Sequence, residues 1–229
     1  MNWLSWLSDF FSDPDHRSGP DSIAHRIAEH LAFSGEALLF AALVAVPLGL
    51  LIGYTGRGVT AVTALAGFAR ALPTLGLVTL AVLLAGVGDT AVLVPLVALA
   101  APPLLVAAVE GVRGTDPDVR DAARGIGLTH PQVLWQVCLP SAAPTLLAGF
   151  RTAAVQVIAT ATVAAYVGLG GLGRYVFDGL ATRKYAVTAG GAVLVVLLAV
   201  AAQLLFVLLT RYALPRGVRA QRRGTDRAR

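Results

Sequence analysis

The sequence has little charge, one cysteine and one lysine, and long apolar runs take the place of a mixed soluble surface. Charged residues make up 14% of the 229 residues and apolar residues 56%. The mean hydropathy is +0.73. Such values exclude an ordinary soluble domain. The single cysteine, Cys138, excludes an internal disulfide and a Cys-x-x-Cys metal motif, so we expect a small packed residue.

The sequence also shows no motif for binding a nucleotide and no intramembrane carboxylate for coupling to protons. Lys184 is followed by Tyr185, so no Gly-x-x-x-x-Gly-Lys-Ser/Thr loop is present to bind nucleotide phosphates. Proton-driven carriers usually place carboxylates inside the membrane, whereas Glu36, Asp89 and Glu110 lie at the ends of apolar runs. We therefore predict no catalytic residue and no cofactor on this chain.

The histidines do not show metal-ligand spacing within an apolar run. We predict that all four lie at the surface or at helix ends, and we predict no metal site. They are His16, His25, His30 and His130.

Apolar runs predict an all-α polytopic membrane protein. About 20 apolar residues cross a bilayer as a helix, and five stretches approach that length. We expect a transmembrane domain at 36–210 between an interfacial N-terminal segment, 1–35, and a basic tail, 211–229, that contacts anionic lipids. Residues 59–88 are too few for two crossings, so one span preceded by an interfacial helix is expected there. The five predicted spans are 36–53, 71–87, 90–109, 145–167 and 187–210.

Basic residues orient these spans. If the polar segment 115–140 faces the cytoplasm, eleven basic residues lie inside and five outside, as the positive-inside rule requires. An odd number of spans then places the N-terminus outside and the C-terminus in the cytoplasm.

The polar segment 115–140 has its own helix signals. Asp116 and Pro117 are typical of a helix start, and Gly127 of a left-handed helix end. Between them, four residues at i, i+3, i+4 and i+7 predict one apolar face. Thr129 and Gln132 match a capping box for a second helix, with Leu128 and Val133 spaced as a hydrophobic staple. The four residues of the predicted apolar face are Val119, Ala122, Ala123 and Ile126.

This segment resembles a known signature. It has Asp121-Ala122-Ala123, then Gly127, then Val137-x-Leu139-Pro140. The spacing is that of Glu-Ala-Ala-x3-Gly-x9-Ile-x-Leu-Pro in permease subunits of binding-protein-dependent ABC importers; aspartate replaces glutamate and valine replaces isoleucine. The resemblance implies a type I importer permease whose cytoplasmic coupling loop, 111–143, binds a separate ATPase through those residues.

Two further stretches resemble the osmoprotectant group of these permeases, which moves glycine betaine, carnitine, choline or proline. One is Arg70-Ala-Leu-Pro-Thr-Leu, and the other runs from 149 to 173. Methionine and taurine permeases share the Gly-Gly-Leu-Gly ending, so such an importer is the alternative. A channel or secondary carrier that needs no ATPase and a structural membrane anchor are the rivals from other classes.

Candidate residues for the transport path are Arg70, Gln156, Thr160 and Thr162. Threonine in a span more often satisfies a backbone carbonyl, so that alternative stays open. A flexible turn at the outer surface, where the backbone can pack closely, is predicted by four glycines: Gly168, Gly170, Gly171 and Gly173. That this turn gates the exit of the binding protein's cargo is a hypothesis. Their spacing and context do not fit a dinucleotide fingerprint.

The resemblance also implies partners. A second permease, identical or related, would complete the path in the cell membrane, and an extracytoplasmic binding protein would deliver the solute. ATP and Mg²⁺ would bind to the partner ATPase. The basic tail is explained by membrane lipids, so no nucleic acid is expected.

Overall fold

A computed structural model describes residues 3–213, except for the side chains of Arg70 and Ala213. All regular structure in this range is helical. Ten α-helices are joined by short 3₁₀ turns at Pro14–His16 and Ala161–Val167 and by a π-helical turn at Leu134–Cys138. The helices are α1 Trp3–Ser12, α2 Ile23–Thr55, α3 Val59–Ala71, α4 Thr74–Ala85, α5 Asp89–Arg113, α6 Pro117–Gly125, α7 His130–Val133, α8 Leu139–Thr160, α9 Gly173–Ala181 and α10 Tyr185–Ala213.

Four helical stretches are long and apolar enough to cross a membrane: Ile23–Thr55, Asp89–Arg113, His130–Val167 and Tyr185–Tyr212. The prediction of a polytopic all-α protein is therefore confirmed. The helix that contains the first predicted span, 36–53, is longer than that span, because α2 begins at Ile23. In its first turns Arg26 pairs with Glu29 and with Asp21 just before the helix. Where the span begins along α2 stays a prediction.

Residues 59–88 form two helices in place of one span. Leu72 and Pro73 separate α3 from α4, since proline lacks an N–H and disfavours helical geometry in the preceding residue. With 12 residues, α4 is about 18 Å long, too short for the ~30 Å hydrocarbon core. The prediction that 71–87 alone forms a span is therefore wrong. Counted together, α3 and α4 supply a fifth span by length and composition.

One compact unit comprises residues 1–40, 70–100 and 154–202. Phe10 is buried with Leu172, Tyr175 and Leu194, and its ring occupies the space that a side chain at Gly190 would fill. This packing fixes α1 against α9 and α10. Trp3, Leu4 and Phe11 remain exposed, as suits the predicted interfacial role, which stays a prediction.

The other unit comprises residues 41–69, 101–153 and 203–229, of which the structure describes those up to 213. Its helices pack through small residues: a Cβ at Gly149 would lie 2.3 Å from the Ala107 Cβ. Such contacts allow helix backbones to approach closely where apolar burial cannot drive association. Cys138 is buried in this core, which confirms that it is a packed residue. The core residues are Leu50, Ala108, Val112, Ala123, Val133, Cys138, Ala142 and Leu146.

Candidate functional site

Helix α6 begins and ends where the sequence predicts. The Asp116 carboxylate accepts the Asp118 backbone N–H at 2.9 Å, and Pro117 takes the first position. Gly127 has a φ of +94°. At this end the Gly127 N–H donates to the Arg124 carbonyl at 2.9 Å and the Leu128 N–H to the Ala123 carbonyl at 3.1 Å. This pair of bonds is the Schellman termination, which needs a left-handed residue at Gly127.

The predicted apolar face of α6 is only partly packed. Ala123 is buried in the core, but Val119 is 44% exposed and Ile126 80% exposed, and Ala122 is exposed as well. Three of the four residues on this face are therefore left uncovered by the described part of the chain. α6 has nine residues and contributes one side chain, that of Ala123, to the core. An uncovered apolar face outside the spans is typical of a surface that binds a partner.

The second helix of the segment is fixed at its start. Gln132 Oε1 accepts the Thr129 backbone N–H at 2.8 Å, as the predicted capping box requires. Leu128 and Val133 pack in the same core, as expected for a staple. The chain continues through the π-helical turn into α8, where Val137 and Leu139 are partly buried and Pro140 is exposed.

Beside α6 lies a polar cleft of about 230 Å³. Asp121 lies in it between Arg120 and Arg124, so the cleft has excess positive charge. The Tyr54 hydroxyl and His130 Nδ1 are hydrogen-bonded at 2.7 Å, which ties the end of α2 to the start of α7. Sequence patterns did not single out Tyr54, because its partner is 76 residues away. The lining residues are Tyr54, Pro117, Arg120, Asp121, Arg124 and His130.

The proposed path residues make backbone hydrogen bonds. Thr160 Oγ1 donates to the Gln156 carbonyl at 2.9 Å, and Thr162 Oγ1 to the Ala159 carbonyl at 2.8 Å. Gln156 Nε2 donates to the Leu99 carbonyl at 3.2 Å. These contacts favour the structural alternative, and a path role stays a prediction. Arg70 lies in α3, and its side chain is outside the described residues.

The outer turn is packed as closely as its glycines predict. Gly168 ends the 3₁₀ helix with a φ of +87°, and Gly171 has a φ of +88°. A Cβ at Gly170 would lie 2.4 Å from the Glu29 carboxyl group, and one at Gly173 would meet the Thr162 carbonyl. A gating role for this turn is not settled by its geometry and stays a prediction.

Two histidines are buried. The prediction of a surface or helix-end position is wrong for His30, whereas His16 lies at the end of the 3₁₀ helix Pro14–His16. His30 is fully buried, and its Nε2 donates to the Ile158 carbonyl at 2.8 Å. His16 is 9% exposed; its Nδ1 lies 2.8 Å from the Phe10 carbonyl oxygen and its ring contacts that of Tyr175. The sequence did not indicate that they are buried. The partner of His30 is 128 residues away, and the ring of His16 packs against those of Phe10 and Tyr175. For His30 the sequence did offer one signal: Arg26, Glu29 and His30 are spaced i, i+3 and i+4, which places them on one face of a helix.

The helical fold, with four to five candidate spans and a short helix, α6, exposed between two of them, is that of a polytopic membrane protein. Residues 45–219 match the family described as binding-protein-dependent transport system inner membrane component. The chain belongs to this family.

Individual relatives match along most of their length. The choline transport system permease protein OpuBB of Bacillus subtilis is 32% identical over 196 residues, 86% of this chain and 90% of that protein. The carnitine transport permease protein OpuCB of Listeria monocytogenes is 32% identical over 198 residues, covering 86% and 91%. The fold is similar to that of the methionine ABC transporter MetNI in an inward-facing conformation, with a TM-score of 0.72, 23% identity and coverage of 85% and 96%.

Proposed function

We propose that this chain is a permease subunit of an ATP-driven importer for a small compatible solute of the glycine betaine, choline, carnitine or proline class. The exposed apolar face of α6 carries the proposal: Ala122 and Ile126 are uncovered beside Asp121 within the matched signature. The relatives named for choline and carnitine transport support the solute class.

In the proposed mechanism, a separate ATPase binds α6 in the cytoplasm. The helix is short and fixed at both ends, and Ala123 inserts into the core that contains Val112 of α5 and Ala142 of α8. When the ATPase displaces α6, close packing passes the displacement to α5 and α8, and little of it is absorbed by flexible loops. ATP and Mg²⁺ bind to the ATPase, and neither is assigned to this chain.

Further subunits complete the importer. A second permease, identical or related, supplies the rest of the path, and an extracytoplasmic binding protein delivers the solute. The polar segment and C-terminus face the cytoplasm of a bacterial cell, and the N-terminus faces outward. Weak solute binding by the permease favours rapid release inward.

Solute uptake tests the assignment. Cells with and without this chain, supplied with its ATPase and binding protein, are assayed at high osmolarity with labelled glycine betaine, choline, carnitine and proline. We expect chain-dependent uptake of at least one of them. Uptake of methionine or taurine alone would replace the solute class and keep the importer.

A second assay separates an importer from a channel or secondary carrier. The purified chain in liposomes is compared with the complete complex, with ATP inside. We expect solute movement from the complex only. Equal movement by the chain alone would refute ATP-driven transport.

A further inference from the structure

Two neighbouring residues of α2 contact both ends of the same segment. His30 Nε2 donates to the Ile158 carbonyl at 2.8 Å, and the Glu29 carboxylate accepts the Gly171 N–H at 2.8 Å. Between these points lie the end of α8, the 3₁₀ helix and the outer glycine turn. One turn of α2 thus holds a stretch that is remote in sequence. We call Glu29 and His30 the α2 clamp.

The Ile158 carbonyl lies beside a change of helix type. α8 ends at Thr160 and continues as a 3₁₀ helix from Ala161. Where the hydrogen-bond step shortens from four residues to three, the regular pairing of carbonyls with backbone N–H groups is interrupted. His30 Nε2 supplies a side-chain donor at this junction.

Glu29 is itself held in place. Arg26 donates to Glu29 Oε2 at 2.8 Å and to Asp21 Oδ1 at 2.5 Å. The Tyr175 hydroxyl donates to the Asp21 backbone carbonyl; burial raises the pKa of Tyr175 to about 12, so it remains a donor at neutral pH. The two bonds from Arg26 are charge-assisted and therefore stronger than neutral ones, so they hold the Glu29 carboxylate in position.

The glycine turn is shaped to fit this carboxylate. A Cβ at Gly170 would lie 2.4 Å from Glu29 atoms, and a Cβ at Gly171 would lie 3.2 Å from His30 Nδ1. Hence the absence of side chains at 170 and 171 and the presence of Glu29 and His30 are matched features. This fit between the glycine turn and α2 does not follow from the coupling-loop signature or from the apolar spans.

We propose that Glu29 and His30 are positioning residues that fix the outer turn, 168–173, and thereby keep ATP hydrolysis coupled to solute movement. The coupling role rests on the proposed function, whereas the positioning role does not. A turn released from α2 lets the outer end of the fourth span move independently. Hydrolysis then proceeds without productive delivery of solute.

A reporter cysteine measures the positioning role. Leu169→Cys places a thiol in the turn, and the native Cys138 is fully buried, so maleimide labelling of the intact complex reports the turn. Glu29→Ala removes the bond from Gly171 together with the pairs to Arg26 and His25, and His30→Leu removes the bond to Ile158. Each should raise the labelling rate about tenfold. Glu29→Gln and His30→Gln keep an acceptor or a donor and should stay within about threefold of the parent.

The matched control is Asp178→Asn. It removes the exposed Arg174–Asp178 ion pair of α9, at 2.9 Å, close to the same turn in sequence. We expect an unchanged labelling rate. Membrane abundance and melting temperature are measured for each variant, so that a folding failure is recognised. If Glu29→Ala and His30→Leu fold and label at the parental rate, the positioning role is overturned.

The coupling role is measured by the ratio of ATP hydrolysed to solute imported. Glu29→Ala and His30→Leu should raise this ratio at least about fivefold, with the Gln variants and Asp178→Asn near the parent. Faster labelling with an unchanged ratio would overturn the coupling role and leave the importer assignment intact. No uptake of any solute by the parent complex would instead defeat the proposed function.

Discussion

At the scale of single residues, Gly127 has the strictest backbone requirement in the polar segment. Its φ of +94° lies where side chains are strained, and a Cβ there would meet open space. The constraint therefore comes from backbone conformation and not from crowding. The two hydrogen bonds that end α6 depend on it.

Gly127→Val should uncouple transport without preventing membrane insertion. A β-branched residue at positive φ costs about 1–3 kcal/mol, so the end of α6 unwinds and its exposed face shifts. We expect uptake to fall more than tenfold, measured with labelled solute and normalised to membrane abundance. Gly125→Ala is the control, since Gly125 lies in α6 with open space around its Cβ position and no positive φ. Parental uptake by Gly127→Val would contradict the requirement.

Ile126 is predicted to contribute directly to ATPase binding. Because it is 80% exposed, Ile126→Asp costs little in folding, but it puts a charge in an apolar contact. Co-purification of the ATPase should drop about tenfold or more, whereas Ile126→Leu should retain it. Equal co-purification with both variants would show that the ATPase does not use this face.

At the scale of secondary-structure elements, the proposed mechanism requires α5 and α8 to move together with α6. Residues 101–113 of α5 and 139–153 of α8 belong to the same compact unit as α6, and their contact is built on small residues such as Ala107 and Gly149. Close backbone contact makes this pair stiff, because interdigitated packing leaves few alternative arrangements. Stiffness here is what the proposed mechanism requires.

Gly149→Ala tests that contact. The added Cβ would lie 2.3 Å from the Ala107 Cβ, so the helices must separate at a cost of about 1–3 kcal/mol. We expect a lower melting temperature for the purified complex and weaker coupling. Gly67→Ala, in α3, has nothing within 4 Å of its Cβ position and should not lower the melting temperature. A stable, fully coupled Gly149→Ala protein would refute the close contact.

At the scale of the whole molecule, the sequence contains no Gly-x-x-x-x-Gly-Lys-Ser/Thr loop for ATP, and the described residues expose much apolar surface. Exposed residues on α2 and α10 suit lipid or a second permease, and among them are Leu39, Leu43, Val196, Leu197 and Leu204. The assembled importer is therefore the functional unit in our proposal.

The proposed assembly predicts which permease chains co-purify. Two differently tagged copies of this chain are expressed together with the ATPase and binding protein. If the permease is a homodimer, one tag co-purifies the other; if it is a heterodimer, a related permease co-purifies instead. Recovery of the chain as a monomer with an active ATPase complex would contradict the two-permease arrangement.

Much of the outcome was determined by the sequence itself. Apolar runs fix helical spans because the bilayer cannot satisfy an open backbone, and Asp116, Pro117 and Gly127 determine α6 because caps and left-handed turns depend on neighbouring residues alone. The family signature is likewise a local spacing.

Tertiary structure alone decided which faces are covered. Val119, Ala122 and Ile126 satisfy a helical pattern, yet only contact with a core buries such a face, and the core reaches Ala123 alone. His30 was predicted at the surface or at a helix end, yet it is buried and bonded to the Ile158 carbonyl, 128 residues away. Burial, and hydrogen bonds between residues far apart in the sequence, depend on how the helices pack against one another. A local sequence pattern does not contain that information.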